Sequence, residues 1–421
     1  MRIKIEHTDE RLTRRSGMVL VDEFGRRVDL RRVVDRVFGA PGSGRGRAAS
    51  EYVTAFVDMF IDGALTLEHV RMFEQDHAFK EMIGRADYPS SDAMGDWLRR
   101  QGGVEGEHKV WTIQKPLLDL SRDCDATLDI DATIIEADKG DGEKSFKGIV
   151  GYQPMLGIIA ENGLVVGSEF RYGNASPQAG LVAFVTACRT TYPDRIRRVR
   201  SDSAGYQSSV INFLTTEKLQ YTISADQSKT EMHEILALPE TAWKAVPGEE
   251  YMVAETVHTM NDTPEAFRLV AKRTPTTQLD LFTNGWKYWL VATNIPNNEK
   301  DTASVIAFHA ARGEMERIIG ELKAHFNLDH MPCGQFSANS LYFALGLLAY
   351  NIVQLMKQIG FGKQTMKKSI RTMRYELMHL AGRVVTHARY MMLRIAAPKT
   401  YVEQLSAAYT TLHLAPFPAP A

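Results

Sequence analysis

At about residue 121 the chain changes its hydrophobic rhythm. The preceding stretch reads as mostly helical, whereas LDIDATII, beginning at Leu128, alternates apolar and polar residues. GIVGYQPMLGIIA and GLVVGSEFRYG follow, separated by Glu161-Asn162-Gly163. Asn-Gly tolerates the positive φ that a tight hairpin demands. ASPQAGLVAFVTACRTTYP then reads as a helix, IRRVRSDSAGYQ as a strand entering a turn, SSVINFLTTEK as a helix and LQYTISADQ as a strand. Three antiparallel strands followed by helix–strand–helix–strand predict an α/β mixed sheet flanked by helices.

That order matches a ribonuclease H-like core, but 421 residues are too many for one core and predict two to four domains. Residues 1–120 are expected to form a helical N-terminal region. Residues 121–225 hold the first part of the core. Residues 226–302 read as a β-rich insertion (YMVAETVHTM, FRLVAKRT, LDLFTNG, WKYWLVATNIP). Residues 303–360 supply a long helix from about Ala303 to Phe326 and a second from about Ser337 to Ile359. Residues 361–421 form a basic C-terminal region.

The bulk composition is that of an ordinary soluble protein, 44% hydrophobic and 24% charged. A net charge of −1 does not advertise nucleic acid, so any electrostatic signal must be local. One exists. Between Lys357 and Lys399 there are ten Lys or Arg residues, Lys367, Lys368, Arg371 and Arg374 among them, against the single acid Glu376. Such a segment predicts salt-dependent binding to phosphates. Cys124, Cys188 and Cys333 are odd in number and lack CxxC spacing, which argues against a disulfide framework or structural zinc and fits a reducing cytoplasm. MRIKIEHTDE has no apolar core, so no signal peptide is expected. The apolar run Leu341 to Met356 is shorter than a bilayer span and contains Asn351 and Gln354, so it reads as a buried helix, with no membrane partner.

In the N-terminal region, GAPGSGRG lacks the Lys-Ser/Thr ending of a phosphate loop and reads as a linker. Pro89-Ser90-Ser91 is a helix entry and Gly102-Gly103 a stop. Trp97 and Leu98 would pack inward, leaving Arg99 and Arg100 free to meet phosphate, as in a helix-turn-helix reader.

Phosphodiester chemistry needs hard oxygen ligands for divalent ions that neutralise the attacking and leaving oxygens. Three carboxylates are placed to converge. Asp129 and Asp131 share one face of the first strand, and strand alternation alone does not choose between them. Asp202 leaves the C-terminal end of the fourth strand, which lies beside the first in a ribonuclease H-like sheet; a bare helix N-cap is its structural alternative. Glu316 lies with His309, Arg312 and Lys323 at spacings of three, four and seven, which puts them within roughly 60° on a continuous helix.

His309-x2-Arg312-x3-Glu316-x6-Lys323 resembles the Tyr-x2-Arg-x3-Glu-x6-Lys signature of IS4-type DDE insertion-sequence transposases, with His in place of Tyr. GELKAHFNLDHMPCGQFSANSLYFALGLLAYNIVQLMK, RSDSAGYQ and LDIDAT extend the resemblance over roughly residues 70–395, and within the superfamily the chain is similar to the IS1380 family. The resemblance implies a cut-and-paste transposase with Asp131, Asp202 and Glu316 as the catalytic, metal-binding triad, holding two Mg²⁺ (or Mn²⁺) ions. It implies phosphate contacts from Arg312 and Lys323. It also implies an insertion between Asp202 and Glu316 in which Trp289 stacks on an unpaired base at the transposon end. The expected partners are double-stranded DNA, both terminal inverted repeats and target, and a second copy of the chain in the synaptic complex. The competing readings are a structure-selective nuclease on the same core and a domesticated DNA-binding protein without catalysis.

Overall fold

The computed structural model describes residues 3–44, 46–121, 125–137, 140–276 and 285–417, without the side chains of 363 and 364. Cys124, Arg45 of the expected linker and most of the expected strand LDLFTNG lie outside the described residues. The chain divides into two compact units. One comprises Asp123–Ile134 and Gln153–Ile319; the other comprises Met1–Arg122, Ile135–Tyr152 and Gly320–Ala421.

The first unit is built on a nine-stranded sheet. Its strands are β1 (Ala126–Ala132), β2 (Met155–Ile159), β3 (Val165–Glu169), β4 (Ile196–Ser201), β5 (Gln220–Ser224), β6 (Lys244–Ala245), β7 (Met252–His258), β8 (Phe267–Pro275) and β9 (Trp286–Thr293). Their spatial order is β6-β7-β8-β9-β5-β4-β1-β2-β3. The β1–β2 and β2–β3 pairs are antiparallel, while β1–β4 and β4–β5 are parallel. The Asn-Gly turn closes β2 onto β3: Gly163 has φ 71°, and the Asn162 side chain accepts the Leu164 amide at 2.9 Å. The strand-rich segment after residue 226 does not form a sheet of its own. Its meander β7-β8-β9 continues the same sheet, because β9 pairs antiparallel with β5 from Val291↔Ser224 to Thr293↔Thr222.

Small residues let a helix lie close to this sheet. Gly157 of β2 and Gly167 of β3 are paired, and helix Leu181–Thr191 sets Cys188 and Phe184 over them. A Cβ on Gly157 would stand 2.7 Å from Cys188 Sγ, and one on Gly167 closer still.

The second unit is organised around helix Phe336–Gly360, which packs against helices Ala49–Asp62, Ser91–Gln101, Val104–Leu118 and Lys399–Leu414. By length and composition alone this helix could cross a membrane, but its apolar window is 89% buried inside the fold. Asn351, an expected misfit for a membrane span, donates to Gln114 Oε1 at 2.7 Å. Helix Ser91–Gln101 has the expected ends: Ser90 accepts from the Ala93 amide, and Gly102 ends the helix. Trp97 stacks on Tyr52 at 5.3 Å, and Arg99 and Arg100 are exposed.

The Gly157/Cys188 contact makes a testable demand. Gly157→Ala should overpack the slot and cost about 1–3 kcal/mol in urea unfolding. In a Cys188→Ala background, where Sγ is gone, the same change should cost less than half as much. Equal costs in the two backgrounds would mean that this contact does not limit the approach.

Candidate active site

Two strands and two helices position the site. The parallel register of β1 and β4 pairs Asp129 with Arg200 and Ile130 with Ser201. Asp131 and Asp202 are each one residue beyond that last pair, at the ends of adjacent strands, whose usual spacing is about 4.8 Å. Asp129 and Asp131 differ in what they meet. Asp129 is buried and accepts a two-pronged grip from Arg200, Nε to Oδ1 at 2.6 Å and Nη2 to Oδ2 at 2.7 Å. Its oxygens are committed to an internal partner. Asp131 sits at the strand end with one oxygen, Oδ2, 3.1 Å from Arg312 Nη2, and the other accepting the Ala132 amide at 2.9 Å.

Asp202 follows β4 in extended conformation and heads one 3-10 turn, Ser203–Gly205. Its Oδ1 accepts from the Ala204 amide at 3.1 Å and from Ser201 Oγ at 3.4 Å. Among the described residues its Oδ2 takes no hydrogen bond. The cap that was the structural alternative is therefore present, and it uses one oxygen only.

The expected continuous helix from Ala303 to Phe326 is two helices, Thr302–Ala310 and Gly313–His325, with a turn at Ala311-Arg312. The turn is closed by i→i+3 bonds, Arg312 N to His309 O at 3.1 Å and Met315 N to Arg312 O at 2.9 Å. Gly313 favours the break, since glycine costs about 1 kcal/mol relative to alanine inside a helix. Side chains pin both sides of it. His309 is buried between two hydroxyls of β5, Nδ1 at 2.9 Å from Thr222 Oγ1 and Nε2 at 2.9 Å from Ser224 Oγ. Burial, with Arg312 and Arg200 nearby, pushes its pKa down to about 3, so the ring is neutral. The stripe of His309, Arg312, Glu316 and Lys323 is thus not one helical face. His309 is an anchor, Arg312 occupies the turn, and Glu316 is exposed in the first turn of the next helix. Lys323 lies seven residues beyond Glu316, half-buried and assigned to the other unit.

Electrostatics link the three carboxylates. The Asp131 carboxyl is pushed up to about 6, first by burial and then by the negative charges of Asp202 and Glu316, against the opposing pull of Arg312. Two like charges raise it only because they are near. Among the described residues, however, no three His, Cys, Asp or Glu side chains are close enough to hold an ion as they stand. The donors fit a hard divalent cation by chemistry and mutual repulsion; Arg312 stands beside the oxygen that such an ion would take. Arg312 Nε is buried and has no hydrogen-bond partner among the described residues, which suits it to a phosphate oxygen.

The other predicted residues fall in four settings. Trp289 packs against the buried cluster of Val253, Val270, Val291, Val305 and Ile306, its ring 5.3 Å from that of His309. It lines the core of its unit. Lys367 and Arg371 are exposed, while Lys368 is ion-paired with Glu376. Arg374 is turned inward: it donates from Nε to Ile61 O at 2.6 Å and from Nη2 to Phe60 O at 2.6 Å and His325 O at 2.8 Å. It ties together the carbonyl ends of two helices, a role that a basic run in the sequence does not betray. Sequence reasoning also missed Arg200. The available signal was that Arg200 precedes Asp202 by two residues, just as Asp129 precedes Asp131.

The family described as "Transposase DDE domain group 1" matches residues 1–416. No curated protein matches the chain significantly. Among solved structures, the chain is similar to a piggyBac transposase in a synaptic complex with hairpin DNA, at 11% identity and a TM-score of 0.46, over 86% of this chain and 80% of that one.

Asp131 sets a pH signature for the metal-free protein. A carboxyl raised in the folded state binds its proton more tightly there than in the unfolded chain. Its contribution is therefore retained below about pH 4 and lost as pH rises through about 6. Asp131→Asn should gain stability relative to wild type across that window, on the order of 2 kcal/mol by pH 7. Unfolding curves of the two proteins that stay parallel from pH 4 to 7 would contradict the assignment.

Proposed function

This chain belongs to the transposase DDE domain group 1 family, and from that membership we propose that Asp131, Asp202 and Glu316 are its DDE triad. It is a DNA transposase, and such enzymes are divalent-metal-dependent catalysts of DNA cleavage and strand transfer. The observation that carries the triad is the parallel register ending at Ile130 and Ser201, one residue before Asp131 and Asp202, with Asp202 and Glu316 both close enough to raise the Asp131 pKa.

Two Mg²⁺ or Mn²⁺ ions held by the three carboxylates would neutralise charge on the attacking and leaving oxygens. The chain itself contributes position and charge. Arg312 leaves Asp131 for a phosphate oxygen, satisfying its orphaned Nε. Asp129, locked to Arg200, keeps the first strand in place and stays out of the reaction. In the first step water attacks the phosphorus at a transposon end and the P–O3′ bond breaks, leaving a 3′-OH. In the second step that 3′ oxygen attacks a target phosphorus and expels the target 3′ oxygen. Neither step needs a covalent bond to the protein.

The finer assignments form part of the same reading. The strand order β3-β2-β1-β4-β5, with its antiparallel and parallel pairings, supports a ribonuclease H-like core. The segment β6 to β9 is then the insertion between Asp202 and Glu316. The near-complete Arg-x3-Glu-x6-Lys signature supports an IS4-type enzyme of the IS1380 family. We assign end recognition to the N-terminal region, where Arg99 and Arg100 are exposed, and phosphate contacts to Lys323, Lys367 and Arg371. We assign contact with an unpaired terminal base to Trp289, whose ring is partly exposed beside that of His309. Terminal inverted repeats and target DNA in the cytoplasm are the substrates, and a homodimer pairs the two ends.

Asp202→Ala should abolish nicking of a terminal-repeat duplex while leaving duplex affinity within about threefold of wild type, since the change removes one acidic group and no cation. Pre-cleaved ends should be joined to target DNA by wild type and not by the variant. Cleavage by Asp202→Ala at the wild-type rate would remove it from the triad; cleavage without joining by the wild type would make the protein a nuclease.

A further inference from the structure

We propose that the outer face of the hairpin formed by β10 (Gly382–Thr386) and β11 (Met391–Ile395) is a duplex-DNA contact surface whose core is the opposed pair Arg383 and Arg394. This rests on the transposase reading and adds a surface distinct from the triad. In the antiparallel register Arg383 stands directly opposite Arg394, and Val385 opposite Met392. Val384 is buried, so alternation puts Arg383, Val385 and Arg394, Met392 on the opposite, outer face. His387 closes the hairpin, its amide donating to Tyr390 O at 2.9 Å, and the two rings lie 4.9 Å apart. Arg389 occupies the tip, and Tyr390 is exposed.

Two like charges directly opposite on an exposed face work against the sheet. The fold does little to relieve them. Glu10 lies 3.7 Å from Arg383. Among the described residues no carboxylate pairs with Arg394 or Arg389, and Arg394 Nε meets only Met392 Sδ at 3.4 Å. Arg11, which precedes the two-residue strand Leu12–Thr13, is committed to Glu81 and Thr386. A phosphate between Arg383 and Arg394 turns the repulsion into a bridged pair, and guanidinium forks match that geometry. The hairpin forms a three-stranded sheet with Leu12–Thr13, which pairs with Gly382 and Arg383 and leaves the β11 edge carrying Arg394 open. The face therefore fits a regular polyanion better than a single carboxylate ligand. It also supplies what the inward-turned Arg374 and the paired Lys368 do not: exposed guanidiniums, of which Arg389 and Arg394 have no carboxylate partner among the described residues.

The register offers a test in which stability and binding move in opposite directions. Arg394→Glu would place an acid opposite Arg383. In full-length protein it should keep or raise the melting temperature while lowering affinity for a random-sequence 30-base-pair duplex by at least about tenfold, and flatten the salt slope by about one to two. Arg383→Gln/Arg389→Gln/Arg394→Gln serves as a second variant and should show the same loss without added negative charge. If wild type binds the duplex and both variants bind equally well with the same slope, the surface assignment is overturned. It is also overturned if binding is lost only in proportion to a lowered melting temperature. A wild type that binds no duplex would refute the transposase reading itself.

Discussion

The unit that holds the triad depends on one buried ion pair that does no chemistry. Asp129 and Arg200 are each almost wholly shielded from water. Leaving either charge alone there would cost roughly 3–5 kcal/mol, so neither is tolerable without the other. They meet only if β1 and β4 run parallel with residue 129 opposite 200. That register brings Asp131 and Asp202 to the ends of adjacent strands. Arg200 also donates through Nη1 to Phe308 O at 2.6 Å, which ties helix Thr302–Ala310 to the same point. The chain leaving that helix then delivers Arg312 and Glu316. The reacting groups are positioned by a pair whose energy comes from mutual need in a dry interior.

The break after Ala310 follows from the same economy of anchors. A neutral His309 fastened to Thr222 and Ser224 fixes the end of one helix against β5. Arg312, drawn to Asp131, fixes the turn. Glu316 begins a new helix and is free to point by its own geometry. One cation thus stands against three carboxylates. Arg312 offsets part of the repulsion among three carboxylates, and it carries an unsatisfied donor that prepares it for another anion.

Much of this was legible in the sequence where the signal is local. The hairpin at Asn162-Gly163, the alternation of helix and strand after it, the cap at Ser90 and the inward-facing Trp97 all depend on residues within a few positions of each other. The acidic triad was legible through spacing. What stayed hidden is non-local. Arg200 shares a basic strand with Arg197 and Arg198, and only its two-residue spacing to Asp202 hints that it is the one that meets Asp129 once β1 lies alongside. The choice of Asp131 over Asp129 becomes structural only once Arg200 claims Asp129. Arg374 reads as one more cation in a basic run, because the carbonyls it holds belong to Phe60, Ile61 and His325, far away in sequence. The pairing of β9 with β5, which merges the strand-rich segment into one sheet, is likewise a meeting of distant segments.

The central claim is that Asp131, Asp202 and Glu316 jointly hold divalent ions and that Arg312 yields its place to them. Anomalous diffraction from crystals of the full chain grown with Mn²⁺ tests this directly. The account predicts manganese peaks bounded by those three carboxylates, with Arg312 displaced from Asp131 and Asp129 still gripped by Arg200. Peaks elsewhere, or an Arg312–Asp131 pair that persists beside bound manganese, would contradict it.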